Sequence, residues 1–219
     1  MTLSDPAIDI VAMTQGPAMT NAYLVGEPGG EVAAVIDPAW DGEALLAAAK
    51  ERGWRISQIW LTHAHFDHIG GAAALFEHAG TPIAVALHPL GHPLWQVKGG
   101  AAAFGFEDFD PGPEPTIDFQ DGMVLRLGSL RFTVHHTPGH TPGHVILSEA
   151  QSGAVFCGDL IFQGSVGRVD LPGGDGPTLI QSIKDHILSL TDDTPLFPGH
   201  GPATTVGRER ETNPFLVGL

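Results

Sequence analysis

The stretch Thr62-His63-Ala64-His65-Phe66-Asp67-His68 carries three imidazoles and a carboxylate within seven residues. An apolar run at 56–61 precedes it and a small-residue run at 69–75 follows, so it lies where a strand gives way to a helix. In extended chain, residues two apart point the same way, which lets His63 and His65 grip one cation. Asp67 and His68, at the turn into the helix, can face a second. Imidazole nitrogen and carboxylate oxygen suit a borderline ion such as Zn²⁺. A polar loop with coincidental histidines is the competing reading, and the rest of the chain weakens it.

Three more ligand types follow strand-like runs: LRFTVHHTPG leads to His140, AVFCG to Asp159, and TPLFPG to His200. In each, a glycine just before the ligand would let backbones approach closely. Strand ends converging on one edge are how α/β folds build sites. The seven divide into His63, His65 and His140 for one ion and Asp67, His68 and His200 for another, with Asp159 as the bridge. Two ions bridged in this way sit roughly 3.5–4 Å apart and acidify a shared water into a nucleophile.

The elements that must position these groups alternate along the chain. Strands are expected at 8–13, 22–25, 32–36, 56–61, 82–87, 123–127, 130–134, 145–147, 154–157 and 195–197. Helices are expected at 41–52, with Asp41 as N-cap and Gly53 as stop, and at 69–78, 177–190 and 206–211. Residues 88–115 break the rhythm, rich in Gly, Pro and aromatics without a clear period, and read as a substrate-site loop or a surface meander. A chain of 219 residues suits one large domain or two small ones, and strand runs interspersed with helices in both halves suggest two sheets covered by helices, a layered α/β architecture.

Composition narrows the function classes. With 10 basic against 25 acidic residues, a formal net charge of −15 opposes a nucleic-acid partner. No apolar run approaches the roughly 18 residues of a membrane helix, and the N-terminus has no secretory pattern. The single cysteine, Cys157, excludes an internal disulfide framework. Cytoplasmic placement is the expectation. The 12 histidines outnumber all Lys and Arg, and their local patterns point to metal.

The combination THxHxDH (62–68), PGHTPGH (138–144), GD (158–159) and PGHG (198–201) resembles the metallo-β-lactamase superfamily over nearly the whole chain. Within it, GRVDLPGGD (167–175) and PGHGPATTVGRERETNPF (198–215) are most similar to the short, glyoxalase II-like enzymes that hydrolyse acylglutathione thioesters. The resemblance implies an α/β fold, a four-layered αββα sandwich with the site at one edge of its sheets. It implies the same seven ligands and two divalent ions, with Zn²⁺ the first choice and Fe or Mn the alternatives. It also implies a small-molecule thioester substrate, glutathione-linked like S-lactoylglutathione. Asp67 would both ligate and orient the attacking water. Full-length glyoxalase II enzymes carry a C-terminal helical domain supplying basic residues to glutathione; here 19 residues follow His200. Arg168 matches a basic position of the family's substrate loop and stands as the candidate anchor for a substrate carboxylate. A surface arginine is the plainer reading.

Other groups read as structural. His135 and His136 suit strand-end packing, and His144 a hydrogen-bonded core position behind the site. His78, His88, His92 and His186 are expected to be exposed, Cys157 buried, and Arg208 and Arg210 to brace the last helix. Phe104, Phe106 and Phe109 suit a pocket lining or a satellite core. The main competing function is a mononuclear Fe(II) persulfide dioxygenase. Such enzymes are similar at His63, His140 and Asp159 and share the GRxD loop and ERxxNP ending. They read PAHDY where this chain has Pro198-Gly199-His200-Gly201-Pro202. A lactonase or β-lactamase on the same scaffold, against which the NPF ending and the 167–175 loop argue, and a non-enzymatic metal-binding module complete the alternatives.

Overall fold

The protein is seen here in a computed structural model describing residues 8–218. Its first sheet holds β1 (Asp9–Gln15), β2 (Thr20–Gly26), β3 (Val32–Ile36), β4 (Arg55–Trp60), β5 (Ala84–Leu87) and β6 (Ile117–Asp118), in chain order across the sheet. The second holds β7 (Val124–Leu127), β8 (Leu130–His136), β9 (Val145–Glu149), β10 (Val155–Gly158), β13 (Pro195–Pro198) and β14 (Thr204–Thr205). Its order is β14-β13-β10-β9-β8-β7, and β11 (Ile161–Phe162) and β12 (Ser165–Val166) form a separate hairpin. Hairpin-linked neighbours are antiparallel, whereas β3-β4-β5-β6 and β10-β13 are parallel, as connections that cross over through helices require.

The helices are α1 (Gly42–Glu51), α2 (Phe66–Ile69), α3 (Ala72–His78), α4 (His92–Gln96), α5 (Gly176–His186) and α6 (Val206–Thr212). Because a strand turns alternate residues to opposite faces, the apolar runs feed two cores at once. Leu24, Ala33, Val35 and Ile59 pack towards α1 and α3, while Tyr23, Val25, Ala34, Ile36 and Trp60 meet Phe132, Val134, Leu147 and Phe156 between the sheets. Val155, Cys157 and Leu196 face the other way, onto Leu179 and Ile183 of α5 and Val206 of α6. Three apolar interfaces thus join four layers, the αββα order the resemblance implies.

Several boundaries differ from the sequence reading. The helix expected over 69–78 starts at Phe66 and breaks between α2 and α3. The 37–39 strip replaces the continuing helix bonds: Ala39 N–H donates to His68 O at 3.2 Å and Gly71 N–H to Ala39 O at 3.1 Å. The helix expected over 177–190 closes at His186, and Arg210 Nη2 takes up the carbonyls of Leu188 and Leu190 beyond it. Residues 88–104 are short helical turns rather than irregular chain, with left-handed Lys98, Gly99 and Gly100 breaking any period. At α1 the Asp41 carboxylate accepts from Ala44 N–H at 2.9 Å, a cap worth about 1 kcal/mol.

Candidate metal centre

All seven side chains singled out as ligands meet at the same ends of the strands. The turn after β4 delivers His63 and His65, α2 carries Asp67 and His68, and the turns after β8, β10 and β13 deliver His140, Asp159 and His200. His63, His65 and His140 form one group able to hold a metal ion, and Asp67, His68 and His200 another. Asp159 lies between them: its Oδ2 is 3.5 Å from both His140 Nε2 and His200 Nε2, and its Oδ1 is 3.3 Å from His68 Nε2.

The free nitrogens are set by what holds the opposite ring atom. His68 Nδ1 donates to Asp37 Oδ2 at 2.9 Å, and His140 Nδ1 to Arg168 O at 2.8 Å. Thr62 Oγ1 donates to Asp37 Oδ2 at 2.6 Å, so it accepts from His63 Nδ1 at 3.1 Å. His63 and His140 therefore present a bare Nε2 to the cluster, and His68 does so once a cation displaces the proton that Asp159 and Asp67 hold on it. His140 Nε2 then stands 3.2 Å from His63 Nε2 and 2.9 Å from His65 Nδ1. Lone pairs that close repel one another unless a cation or proton lies between them.

Electrostatics point the same way. Burial pushes His63 well below the ordinary imidazole range and His65 down to about 3, which keeps both neutral and ready to ligate. Burial also lowers His200, but the carboxylates of Asp159 and Asp67 outweigh it and raise this group to about 9. His68 rises for the same reason, and Asp67 and Asp159 fall despite their burial. The buried Asp159 and half-buried Asp67 carboxylates demand positive charge here, since an uncompensated buried ion costs several kcal/mol. His68 Nε2 and Asp159 Oδ1 have no hydrogen-bond partner among the described residues. Such a donor set, with neutral imidazole nitrogens, an orphaned oxygen and two ionised carboxylates, fits divalent cations.

Close backbone approach is built into Gly199. A Cβ there would fall 2.3 Å from Asp159 Oδ1 and 2.7 Å from His68 Cε1. Gly199 N–H donates to Gly158 O at 2.8 Å, tying the His200 turn to the Asp159 turn. The sequence reading missed Asp37, whose carboxylate holds Thr62 N–H at 2.7 Å, the Thr62 hydroxyl and His68. It also missed Thr20, whose hydroxyl donates to Asp67 Oδ2 at 2.8 Å. Asp37 ends the apolar run AAVI, the same strand-end placement that marked Asp159, so a signal was present.

The open side of the cluster is a cavity of about 250 Å³ walled by Ala18, Phe66, Phe104 and Leu171. Phe104 therefore lines the pocket, whereas Phe109 is buried in the core and Phe106 packs against it. Arg168 sits at the rim with its guanidinium engaged by Asp170 at 2.7 and 2.8 Å. Buried His144 lies behind the site as expected, bonding Thr137 Oγ1 through Nδ1 and accepting from Asp159 N–H at 3.0 Å through Nε2. His78 is exposed, but His88, His92 and His186 are half-buried, and His88 stacks on His136 with centroids 4.1 Å apart. Cys157 is buried, and Arg210 braces α6 through Asp192.

Fold and site together define an enzyme of the metallohydrolase class. The metallo-beta-lactamase superfamily model matches residues 15–200, and the chain belongs to that superfamily. It is similar to hydroxyacylglutathione hydrolase GloC of Haemophilus influenzae, 38% identical over 184 residues, covering 84% of this chain and 87% of that protein. Two crystal structures share its fold closely. BLEG-1 B3 metallo-beta-lactamase has 36% identity and a TM-score of 0.88, covering 96% of this chain and 100% of that one. TTHA1623 in a di-iron-bound form has 44% identity and a TM-score of 0.84, covering 94% and 100%. Among the described residues, no helix is long and apolar enough to cross a membrane.

Proposed function

We propose that this chain is a dinuclear hydrolase of thioesters, acting on S-acylglutathiones of the S-lactoylglutathione kind and releasing acid and thiol. The observation that carries the reading is the placement of Asp159 between two complete ligand triads. A one-iron dioxygenase would leave His68 and His200 without a task, whereas here they join Asp67 in a second group. The resemblance to GloC supports the thioester substrate. In this reading one hydrolase domain spans 1–219 and works in the cytoplasm.

His63, His65 and His140 would hold one ion, Asp67, His68 and His200 the other, and Asp159 both. When bound, the pair supplies an acidified water and Lewis-acid polarisation of the substrate carbonyl. Zn²⁺ suits the donors; the di-iron form of TTHA1623 gives iron a claim as well. Asp67 does more than ligate. Thr20 pins its Oδ2 at the mouth of the cluster, where the carboxylate would accept a hydrogen bond from the attacking water and orient it, the proton given up on acidification passing to solvent. As the water oxygen bonds the carbonyl carbon, the C–S bond breaks and its electron pair leaves on sulfur. A thiolate is a good leaving group, so no strong protein acid is needed. Phe66, Phe104 and Leu171 shield the reacting carbon from bulk water, and Arg168 receives a substrate carboxylate at the rim in exchange for Asp170.

The testing experiment is turnover of S-lactoylglutathione by metal-loaded protein, followed as loss of the thioester. Thiol release abolished in Asp67→Ala is expected. No turnover of this thioester, alongside oxygen uptake with glutathione persulfide, would contradict the reading. Similarity to BLEG-1 favours β-lactam hydrolysis as the second reading, and a chromogenic cephalosporin in the same assay separates the two.

A further inference from the structure

Beside the metal pocket lies a larger open cavity of about 660 Å³, within the size range of small-molecule sites. One wall is the strip 166–169, the other is α5, and Phe215 overhangs the edge, 53% exposed. Val169, Pro177, Ile180 and Phe215 make its surface mainly apolar. A contiguous apolar hollow rimmed by polar side chains is a surface of the kind that binds ligands.

Charge narrows what the ligand is. The chain has 10 basic residues and a net charge of −15, yet two of the basic residues, Arg168 and Lys184, stand on this rim. Arg168 is already paired with Asp170, while Lys184 pairs with no acidic group among the described residues. The site thus offers an aliphatic surface with one unneutralised ammonium at its margin. We infer that this cavity is a second binding site, taking an aliphatic carboxylate whose chain lies on Val169, Ile180 and Phe215 and whose carboxylate meets Lys184.

The site is distinct from the metal cluster but shares its supports. The strip 166–169 holds His140 through Arg168 O, and α5 holds the same turn through Ser182 Oγ, which donates to Pro138 O at 2.7 Å. A molecule wedged between strip and helix therefore lies against both elements that brace the His140 turn. The inference does not depend on which ester or thioester the metal site cleaves.

Calorimetric titration with octanoate, on metal-loaded and on chelator-stripped protein, tests it. Saturable one-to-one binding is expected in both states. Lys184→Gln should weaken it about fivefold, the scale of an exposed ion pair. Phe215→Ala should weaken it roughly tenfold through lost apolar contact, and octylammonium should bind more weakly than octanoate. Both variants change exposed residues, so circular dichroism should show folded protein. The inference is overturned by absence of saturation, or by binding lost with the metals, which would put the carboxylate on the cluster. Affinity unchanged in both variants also overturns it. So does a dimer that Phe215→Ala dissociates, since the cavity would then be an interface between copies.

Discussion

His68 Nδ1 lies 2.9 Å from Asp37 Oδ2, and this bond turns His68 Nε2 towards Asp159. Asp37 touches neither the pocket nor any group proposed to react, yet it fixes both Thr62 and His68. Removing such an outer partner typically costs 10–100-fold in metal affinity. Asp37→Ala is therefore expected to lose one of two ions first on dialysis against a graded chelator. Affinity equal to the parent's for both ions would show that Asp37 is a core residue without influence on the site.

Gly199→Ala tests the closeness of the strand ends. The added methyl would press on Asp159 Oδ1 and His68 Cε1, and neither belongs to a flexible exposed side chain. Hydrolysis should fall at least tenfold while far-UV circular dichroism stays that of folded protein. Gly201→Ala is the contrast: a Cβ there meets nothing within 4 Å, although its φ of +74° makes the change mildly destabilising. Equal activity in both variants would remove the steric argument.

The metal-free protein should be most stable near pH 6.5. Burial holds His65 down to about 3, so an unfolded chain takes up a proton that the folded one refuses, and stability falls as pH drops from about 6.5 towards 3. Burial opposes protonation of His200 too, but Asp159 and Asp67 raise it to about 9. A raised group contributes stability fully present below the unfolded value and lost as pH rises through the folded one. The Tm of chelated protein should accordingly decline on both sides of pH 6.5. Saturating metal, which replaces the His200 proton, should flatten the alkaline side. A Tm of chelated protein that climbs steadily from pH 6.5 to 9 would refute this.

Arg168 lies at the rim, held by Asp170 rather than free. If it anchors a substrate carboxylate, Arg168→Ala should raise KM several-fold with little change in kcat, and Asp170→Asn should lower KM. Unchanged KM in both variants would return Arg168 to the status of a surface arginine.

Much of this site could be read from the chain because metal chemistry restricts residue type and the fold restricts place. Histidines at 63, 65, 140 and 200 and aspartates at 67 and 159 each follow an apolar strand, and all come together. The strand-period cores were equally legible, since Val32–Ile36 carries alternating faces for two interfaces. What escaped lacks a repeating pattern. The hairpin at 161–166 and the strand at 204–205 have two-residue strands, too short to show alternation. The break after Ile69 comes from a distant strip, 37–39, competing for helix bonds, which no local propensity reveals. Asp37 sits at a strand end as Asp159 does, but it lacks the preceding glycine and the neighbouring histidines that marked the other positions.

The most direct test of the two-ion site is metal content per chain, by elemental analysis of the parent and of His200→Ala purified in parallel. Two ions per chain in the parent and one in the variant, with most hydrolysis lost, are expected. One ion per chain in both would contradict the dinuclear centre.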